Sequence, residues 1–428
     1  MKLFEHQEQV LEETKGFDSV AYFLDMGLGK TFVGSEKMIQ IGNKVNLLIC
    51  QKSKINDWVN HFETYYKDSK PFFLIDDLTK WTVQRIKFHL VTISKEAEDH
   101  AFPHIYIINY ELAWRRKELL KLEHFTLMLD ESSLIQNTKA KQTKFILKMK
   151  PSNVILLSGT PTAGKYENLV SQANLLGWNI SEKVFFSQYI NWKKIDVKDN
   201  QISVVDKDDP YKNVDRLKRK LKEHGAVFMK TEDVISLPEQ VFIPVKIKPS
   251  KEYKRFEKTH VLELPEEDLI GDTELTFRLS KRKLCGMYSN EKLEAFKDLI
   301  ESTQDNLICF YNFNMELEKL KKISESSGRT VGIINGNQKD EPEGKSILLI
   351  QYQAGAYGLN LQSFSNKIIY FSLPDKSELF EQSQKRIHRI GQKETCFYYL
   401  MMVMNSIETR EILPTLKIRK EWTDELFK

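Results

Sequence analysis

Short apolar segments alternate with amphipathic segments between residue 20 and about residue 160. The amphipathic segments, such as residues 55–65 and 139–149, carry apolar side chains at helical spacing. The apolar segments have the length and composition of strands buried in a parallel sheet, and they are residues 45–50, 105–108, 125–129 and 154–157. Because alternating strands and helices build βαβ units, this part of the chain is predicted to form an open α/β sheet.

A second series of apolar segments follows residue 300. It comprises residues 307–311, 330–334, 347–350, 368–371 and 397–403. The chain is therefore predicted to contain two α/β lobes, each with a parallel sheet flanked by helices.

More polar sequence separates the two series. Residues 163–235 are rich in Lys, Asp and Asn and lack a regular strand pattern, which predicts a mostly helical insertion on the first lobe. Leu237-Pro238 interrupts the pattern, so the first lobe is placed at residues 1–239 and the second at residues 240–428. A second helical insertion is predicted at about residues 250–290, and the second lobe is predicted to end in a helical tail.

Composition and charge are typical of a globular protein. Of 428 residues, 41% are hydrophobic and 29% are charged, which excludes a disordered chain. The net charge of +4 neither requires nor opposes a nucleic-acid partner. The four cysteines lie far apart without zinc-ligand spacing, and no apolar segment has the length of a signal core or a membrane span. These features predict a reduced, cytoplasmic protein without a structural metal or membrane contact.

Residues 24–31, Leu-Asp-Met-Gly-Leu-Gly-Lys-Thr, follow an apolar segment and begin a helical one. A phosphate-binding loop requires this strand–loop–helix context, although its first glycine is here Leu24. Gly27 and Gly29 would let backbone amides approach the phosphates of ATP. Lys30 would neutralise the β- and γ-phosphates, and Thr31 would bind Mg²⁺.

A pair of carboxylates, Asp130 and Glu131, follows the predicted strand at residues 125–129. Ligands bind open α/β sheets at this carboxyl edge. Asp130 is predicted to bind Mg²⁺, and Glu131 is predicted to polarise the attacking water. Because an acidic pair after a strand also marks many helix starts, the assignment depends on Lys30 and Thr31 upstream.

Two further segments have a candidate role. Residues 158–162, Ser-Gly-Thr-Pro-Thr, close the next strand and would be placed to sense the γ-phosphate. Arg386 and Arg389 are three residues apart, so one helix face would present both guanidinium groups. Arginines that reach a phosphate site from another domain stabilise the charge of γ-phosphoryl transfer. A surface pair on a basic helix is the alternative interpretation.

In chain order, these motifs resemble those of the Swi/Snf-type ATPases of helicase superfamily two, from residue 3 to about residue 412. The most specific segments are Gln-Ala-Gly-Ala-Tyr-Gly-Leu-Asn-Leu at residues 353–361 and Gln-Ser-Gln-Lys-Arg-Ile-His-Arg-Ile-Gly-Gln at residues 382–392. The resemblance implies two RecA-like lobes, adenine recognition by Gln7 and nucleotide binding by Gly358. It also implies DNA-backbone contacts at Lys52, Ser53, Asn109, Tyr110, Asn312, Phe313, Ala354 and Gly355.

The sequence departs from the family at motif II, which reads Asp-Glu-Ser-Ser instead of Asp-Glu-x-His, and at Gln51, where proline is usual. The first departure leaves the acid pair intact but alters its coupling to residues 158–161. Compact chains with Asp-Glu-Ser-Ser resemble bacteriophage and prophage members. This resemblance implies a phage-encoded protein in the cytoplasm of a bacterial host, with a phage or host replication or recombination protein as a partner.

The function implied by the resemblance is that of a DNA-stimulated ATPase that couples ATP hydrolysis to movement along double-stranded DNA. Sequence-independent contacts to phosphates suit such a motor. A strand-separating DNA or RNA helicase is one alternative. A nucleotide-switched DNA-binding recruitment factor is another, although the presence of Lys30, Glu131, Arg386 and Arg389 disfavours it.

Overall fold

The computed structural model describes residues 2–66, 73–95, 103–197, 200–355 and 359–427. The chain forms two compact units, the first comprising Met1–Val234 with Trp422–Lys428 and the second comprising Ile235–Glu421. The predicted boundary at residue 239 stays a proposal. The final residues differ from the prediction, because they belong to the first unit and not to the second.

A seven-stranded sheet forms the centre of the first unit. Its strands, in the spatial order β3-β4-β2-β5-β6-β1-β9, are all parallel. Their bounds are β1 (Ser19–Leu24), β2 (Val45–Cys50), β3 (Leu74–Asp77), β4 (His104–Asn109), β5 (Phe125–Asp130), β6 (Asn153–Leu157) and β9 (Ala226–Met229). The four apolar segments predicted as strands are therefore confirmed, and all of them lie in this sheet.

Helices connect these strands. They are α1 (Glu5–Glu13), α2 (Lys30–Ile41), α3 (Ile55–Tyr65), α4 (Val83–Lys95), α5 (Tyr110–Ala113), α6 (Lys141–Ile146), α7 (Val170–Leu175), α8 (Glu182–Tyr189) and α9 (Val214–Glu223). Helix α2 packs closely on the sheet at Gly34, where an added β-carbon would lie 2.9 Å from Leu157 Cδ1 and 3.0 Å from Met128 Sδ. The missing side chain thus brings α2 close to β5 and β6, at whose ends the candidate site lies.

The segment at residues 163–235 is less helical than the sequence predicts. It contains α7, α8 and α9, but also an antiparallel hairpin of β7 (Trp192–Val197) and β8 (Asn200–Val205). In addition, its strand β9 pairs with β1 in the central sheet. The hairpin lacks a buried face that would give it an apolar period, and β9 is too short to be distinguished from a helical segment by its sequence.

The second unit has a six-stranded parallel sheet in the order β10-β17-β16-β13-β15-β14. Its strands are β10 (Gln240–Ile247), β13 (Leu307–Tyr311), β14 (Val331–Ile334), β15 (Ile347–Gln351), β16 (Lys367–Tyr370) and β17 (Cys396–Val403). The predicted strands of the second series are confirmed. The predicted fold class, two parallel sheets flanked by helices, is confirmed as well.

Helices of the second unit are α10 (Lys251–Thr259), α11 (Glu274–Cys285), α12 (Asn290–Glu301), α13 (Asn314–Ser326), α14 (Tyr352–Gly355), α15 (Ser377–Gln384) and α16 (Leu413–Phe427), the last of which continues into the residues assigned to the first unit. The region predicted as a helical insertion contains α10 and α11. Between them lies a hairpin of β11 (Val261–Glu263) and β12 (Asp268–Ile270) that the sequence did not predict. None of the helices in the described part of the chain has the length and apolar content needed to cross a membrane.

Candidate nucleotide site

The loop between β1 and α2 has the backbone geometry expected of a phosphate-binding loop. Gly27 and Gly29 both have positive φ angles, +91° and +76°, which glycine adopts without the steric cost of a side chain. Gly29 directly precedes α2, so the first backbone amides of the helix, which have no acceptor within the helix, lie next to the loop. Lys30 Nζ donates to Leu24 O at 2.9 Å and to Asp25 O at 3.2 Å, which holds the ammonium group beside the loop.

Helix α1 places Gln7 against this loop. Gln7 Nε2 donates to Leu28 O at 3.2 Å, and Gln7 Oε1 accepts from Phe4 N at 3.0 Å. The contact is close enough that a β-carbon at Gly29 would lie 2.1 Å from Gln7 Nε2, so a side chain there would displace the Gln7 amide. The structure thus places Gln7 at the loop, whereas its contact with adenine remains a prediction.

The acid pair lies at the carboxyl end of β5. Glu131 has a φ angle of +53°, an uncommon conformation for a residue with a side chain. Asp130 Oδ2 accepts a hydrogen bond of 2.9 Å from Trp58 Nε1. Burial raises the pKa of Asp130, and the indole hydrogen bond and the positive charges of Lys54 and Lys30 oppose this shift. Lys30 and Asp130 are thus close enough for the lysine charge to act on the carboxyl group, and their roles at the site stay predictions.

Trp58 is a site residue that sequence reasoning missed. It lies on α3, where its position in the sequence does not indicate a role in the site. In the structure it is 2% exposed, and its indole N–H orients the Asp130 carboxylate. Tyr110 supports the same position, because its hydroxyl donates to Asp130 O at 2.9 Å. Neither contact has a local sequence signal, since each joins segments that are far apart in the chain.

The loop after β6 approaches the phosphate-binding loop. Ser158 Oγ accepts from Thr160 N at 3.1 Å and shapes the turn. A β-carbon at Gly159 would lie 3.3 Å from Lys30 Nζ and 3.5 Å from Leu24 O. Gly159 therefore lies next to the lysine that is predicted to bind the phosphates.

These residues fit a nucleotide and its metal ion. The loop ends at the start of α2, where backbone amides are available to an anion, and Lys30 supplies the neutralising charge. Thr31 and Asp130 supply the hydroxyl and carboxylate oxygens that Mg²⁺ prefers, and they are the residues that would hold it. The assignment of ATP and Mg²⁺ to individual residues remains a proposal.

The residues predicted to contact DNA differ in accessibility in the first unit. Lys52 and Ser53 are exposed on the short turn that follows β2. Asn109, the last residue of β4, and Tyr110, which follows it, are both buried, and Asn109 Nδ2 donates to Glu111 Oε2 at 2.6 Å.

In the second unit, Asn312 and Phe313 follow β13, and Ala354 and Gly355 end the short helix α14. Gly358, predicted to bind nucleotide, lies outside the described residues. Asn312 and Phe313 follow the end of β13, and Ala354 and Gly355 follow the end of β15. All four therefore lie at the carboxyl edge of the second sheet, where ligands of α/β sheets bind. Their contact with DNA remains a prediction.

A cavity of about 170 Å³ opens at this edge. Asn312 lines it, but its amide also donates to Ser372 Oγ at 2.8 Å and to Leu373 O at 3.0 Å. Positively charged, negatively charged and amide side chains line the cavity. The lining residues are Arg282, Asn312, Gln351, Tyr352, Gln353, Pro374, Asp375, Lys376 and Leu379.

The two arginines do not share a helix face as predicted. Helix α15 ends at Gln384, and Arg386 and Arg389 lie on the turns that follow it. Arg386 is 3% exposed and donates to Leu359 O at 2.9 Å and to Gln382 O at 3.1 Å. Arg389 donates to Asn360 Oδ1, and burial lowers its pKa. Both side chains therefore connect residues 359–360 to the turn after α15.

Comparison with known proteins identifies the family. The model of the SNF2-related domain matches residues 19–300, which is more than half of the chain. The chain belongs to the SNF2-related family. This membership confirms the Swi/Snf-type assignment made from the motifs and supports the predicted enzyme class, an ATP hydrolase of helicase superfamily two.

Individual relatives of this SNF2-related protein are distant in sequence. An uncharacterised ATP-dependent helicase of Bacillus subtilis is 22% identical over 94% of this chain and 74% of its own length. The mouse SWI/SNF-related matrix-associated actin-dependent regulator of chromatin, subfamily A member 1, is 21% identical over 90% of this chain and 39% of its own length. The chain thus spans well under half of the mouse protein.

A solved structure is also similar. It is the Sulfolobus solfataricus SWI2/SNF2 ATPase core in complex with dsDNA, with 18% sequence identity and a TM-score of 0.43. The similarity covers 99% of this chain and 92% of that chain.

Proposed function

We propose that the protein is an ATP-dependent motor that moves along double-stranded DNA without needing to separate its strands. The observation that carries this proposal is the assembly of Lys30, Asp130 and the loop after β6 at one sheet edge. Membership of the SNF2-related family supports it. Relatives whose names describe them as ATP-dependent helicases support it further.

The roles of individual residues in hydrolysis follow from their chemistry. Lys30 would bind the β- and γ-phosphates, and Glu131 would accept a proton from the attacking water. Mg²⁺, held by Thr31 and Asp130, would neutralise charge on the phosphates. Arg386 and Arg389 would stabilise the charge that develops on the γ-phosphoryl group.

Movement on DNA requires contacts that ignore base sequence. Lys52 and Ser53 are exposed and would contact backbone phosphates from the first unit. The carboxyl edge of the second sheet, with Asn312 and the amides of Ala354 and Gly355, would supply a second set. Because cations such as Lys52 release counterions when they contact phosphates, DNA binding should weaken with added salt.

We also propose where the protein originates, where it is located and what kind of protein it binds. The proposals are a bacteriophage or prophage origin, a location in the cytoplasm of a bacterial host, and a replication or recombination protein of phage or host as a partner. The compact chain with Asp-Glu-Ser-Ser at residues 130–133 supports the first of these, and the other two depend on it.

The test is ATP hydrolysis by the purified protein alone and with single-stranded DNA, duplex DNA or RNA. Duplex DNA should stimulate turnover most. On a duplex that carries a third strand, ATP should drive displacement of the third strand but leave the duplex paired. Lys30→Ala is the matched control, because it should remove nearly all hydrolysis from a folded protein. Stimulation by RNA alone, or separation of the duplex, would contradict the proposal.

A further inference from the structure

One buried amide connects the two loops that meet at the candidate site. Gln172 lies on α7 and has no exposed surface. Its Oε1 accepts from Ser132 Oγ at 2.8 Å, and its Nε2 donates to Pro161 O at 2.8 Å. A carbonyl oxygen can only accept, so Pro161 fixes the orientation of the amide, and the Ser132 hydroxyl must donate to the remaining oxygen.

The first anchor is next to the predicted general base. Ser132 follows Glu131, whose φ angle of +53° is costly for a residue with a side chain and must be maintained by its surroundings. Ser132 also begins the turn Ser132–Ile135. A bond that fixes the Ser132 hydroxyl therefore restrains the backbone on the carboxyl side of Glu131.

The second anchor is next to the predicted phosphate sensor. Pro161 lies two residues after Gly159, which approaches Lys30 Nζ. The strands that precede the two anchors, β5 and β6, are neighbours, with Asp130 paired to Leu157. Gln172 thus connects the loop that contacts Lys30 to the loop that carries Glu131.

We infer that Gln172 is a positioning residue that couples residues 158–162 to Glu131, so that the loop beside the phosphates and the general base move together. The inference rests on the proposed ATPase function. The connection between the two loops that the hydrogen bonds show is Ser132–Gln172–Pro161.

Gln172 could instead serve only to satisfy buried polar groups, and the variants must separate the two roles. Gln172→Leu keeps side-chain bulk but removes both hydrogen bonds, and Ser132→Ala removes one of them with a much smaller change. Asn174→Ala is the matched control. Asn174 is on the same helix and donates to Val170 O and Ile180 O, both at 3.0 Å, which lie in neither loop.

The first measurement is steady-state hydrolysis combined with equilibrium ATP binding. Gln172→Leu should lower kcat by roughly 10- to 100-fold, as expected when a catalytic group is slightly misplaced, with little change in ATP affinity. Ser132→Ala should lower kcat in the natural background but have little further effect in Gln172→Leu, because residues in one network are not additive. Asn174→Ala should retain kcat.

The second measurement is amide hydrogen exchange, which needs no hydrolysis. Ser132→Ala should accelerate exchange in residues 158–165, on the other side of the amide, whereas Asn174→Ala should not. This result separates the inference from the proposed function, since it holds even if duplex DNA fails to stimulate the protein.

Two results would overturn the inference. One is a folded Ser132→Ala or Gln172→Leu protein with the parental kcat and unchanged exchange in residues 158–165. The other is a parallel loss of kcat, ATP affinity and melting temperature in all three variants, which would show that the role is structural only.

Discussion

Glu131, the predicted general base, has an uncommon backbone conformation. Its positive φ angle follows the end of β5, and the Asp130 carboxylate beside it is held by Trp58. Glu131→Gln should bind ATP but hydrolyse it roughly 10²- to 10⁴-fold more slowly, because an amide cannot accept the proton of the attacking water. Single-turnover hydrolysis and equilibrium ATP binding measure the two effects.

The exposed Glu123, near the start of the same strand, provides the control substitution Glu123→Gln, which should leave hydrolysis unchanged. If Glu131→Gln turns over at the parental rate, another residue activates the water.

Site residues that belong to a contiguous motif could be predicted from the sequence. Site residues that reach the site from a distant segment could not. Lys30 and Asp130 follow apolar segments at recognisable positions, so their neighbourhood could be predicted. Trp58 and Gln172 act through hydrogen bonds to residues 72 and 40 positions away. Such pairs have no period along the chain, and only the packing of α3 and α7 brings them to the site.

Among the secondary-structure elements, some could be predicted from the sequence and others could not. Strands buried on both faces appear as continuous apolar segments, which is why the strands of both central sheets were largely predictable. β3 and β9 have only four residues each, and the hairpin β7–β8 is solvent-exposed, with Trp192 47% exposed. Segments like these carry too little apolar pattern to be recognised in a polar region.

One buried ion pair joins two elements of the second unit. Lys292 on α12 contacts Glu408, which follows β17, at 2.7 Å, with 0% and 3% of the side chains exposed. Lys292→Met should lower the free energy of unfolding by about 3–5 kcal/mol, because it leaves a buried carboxylate without its cation. Urea unfolding measures the change.

Lys297→Met is the matched control, since Lys297 is exposed on the same helix. The double variant Lys292→Met/Glu408→Gln should regain much of the lost stability, because no buried charge remains. Equal stability of Lys292→Met and the parent would contradict the assigned role of the pair.

At the scale of the whole molecule, the proposed mechanism requires arginines of the second unit to act on a nucleotide bound by the first. Arg389→Ala should lower turnover roughly a thousandfold, as for other arginines supplied from a second domain, while ATP affinity falls much less. Arg389 is preferred over Arg386 for the test. Arg386 is almost fully buried with two backbone acceptors, so its truncation would also destabilise the second unit.

Arg410→Ala is the control, because Arg410 is an exposed residue of the same unit that pairs with Glu257. Turnover and ATP affinity of this variant should match those of the parent. Parental turnover in Arg389→Ala would exclude a role for this residue in hydrolysis.

The first unit also depends on the last residues of the chain. Leu426 is fully buried in its core, Thr423 Oγ1 lies 3.2 Å from Thr162 Oγ1, and Tyr166 OH donates to Trp422 O at 2.8 Å. Leu426→Ala should destabilise this unit by about 2–5 kcal/mol through the lost apolar contacts and the cavity. Ile418→Ala, at a 41% exposed position of α16, should have a small effect in the same unfolding measurement.

The contribution of residues 422–427 to the first unit affects how a fragment of that unit can be interpreted. A fragment that ends near residue 239 lacks Leu426 and Thr423, and it leaves Thr162, in the predicted phosphate-sensing loop, without its contact to Thr423. Its lack of hydrolysis would therefore not by itself demonstrate a role for the arginines. Arg389→Ala in the whole chain is the sharper test.

The position of residues 422–427 also bears on how the protein is made. A ribosome synthesises residues 1–234 first, yet it must translate all of residues 235–421 before the segment that fills the core around Leu426 emerges. During that interval, the nascent first unit has an open apolar site where α16 will end. Its folding should therefore be completed only once residues 422–427 have left the ribosome, and until then the site around Leu426 stays uncovered.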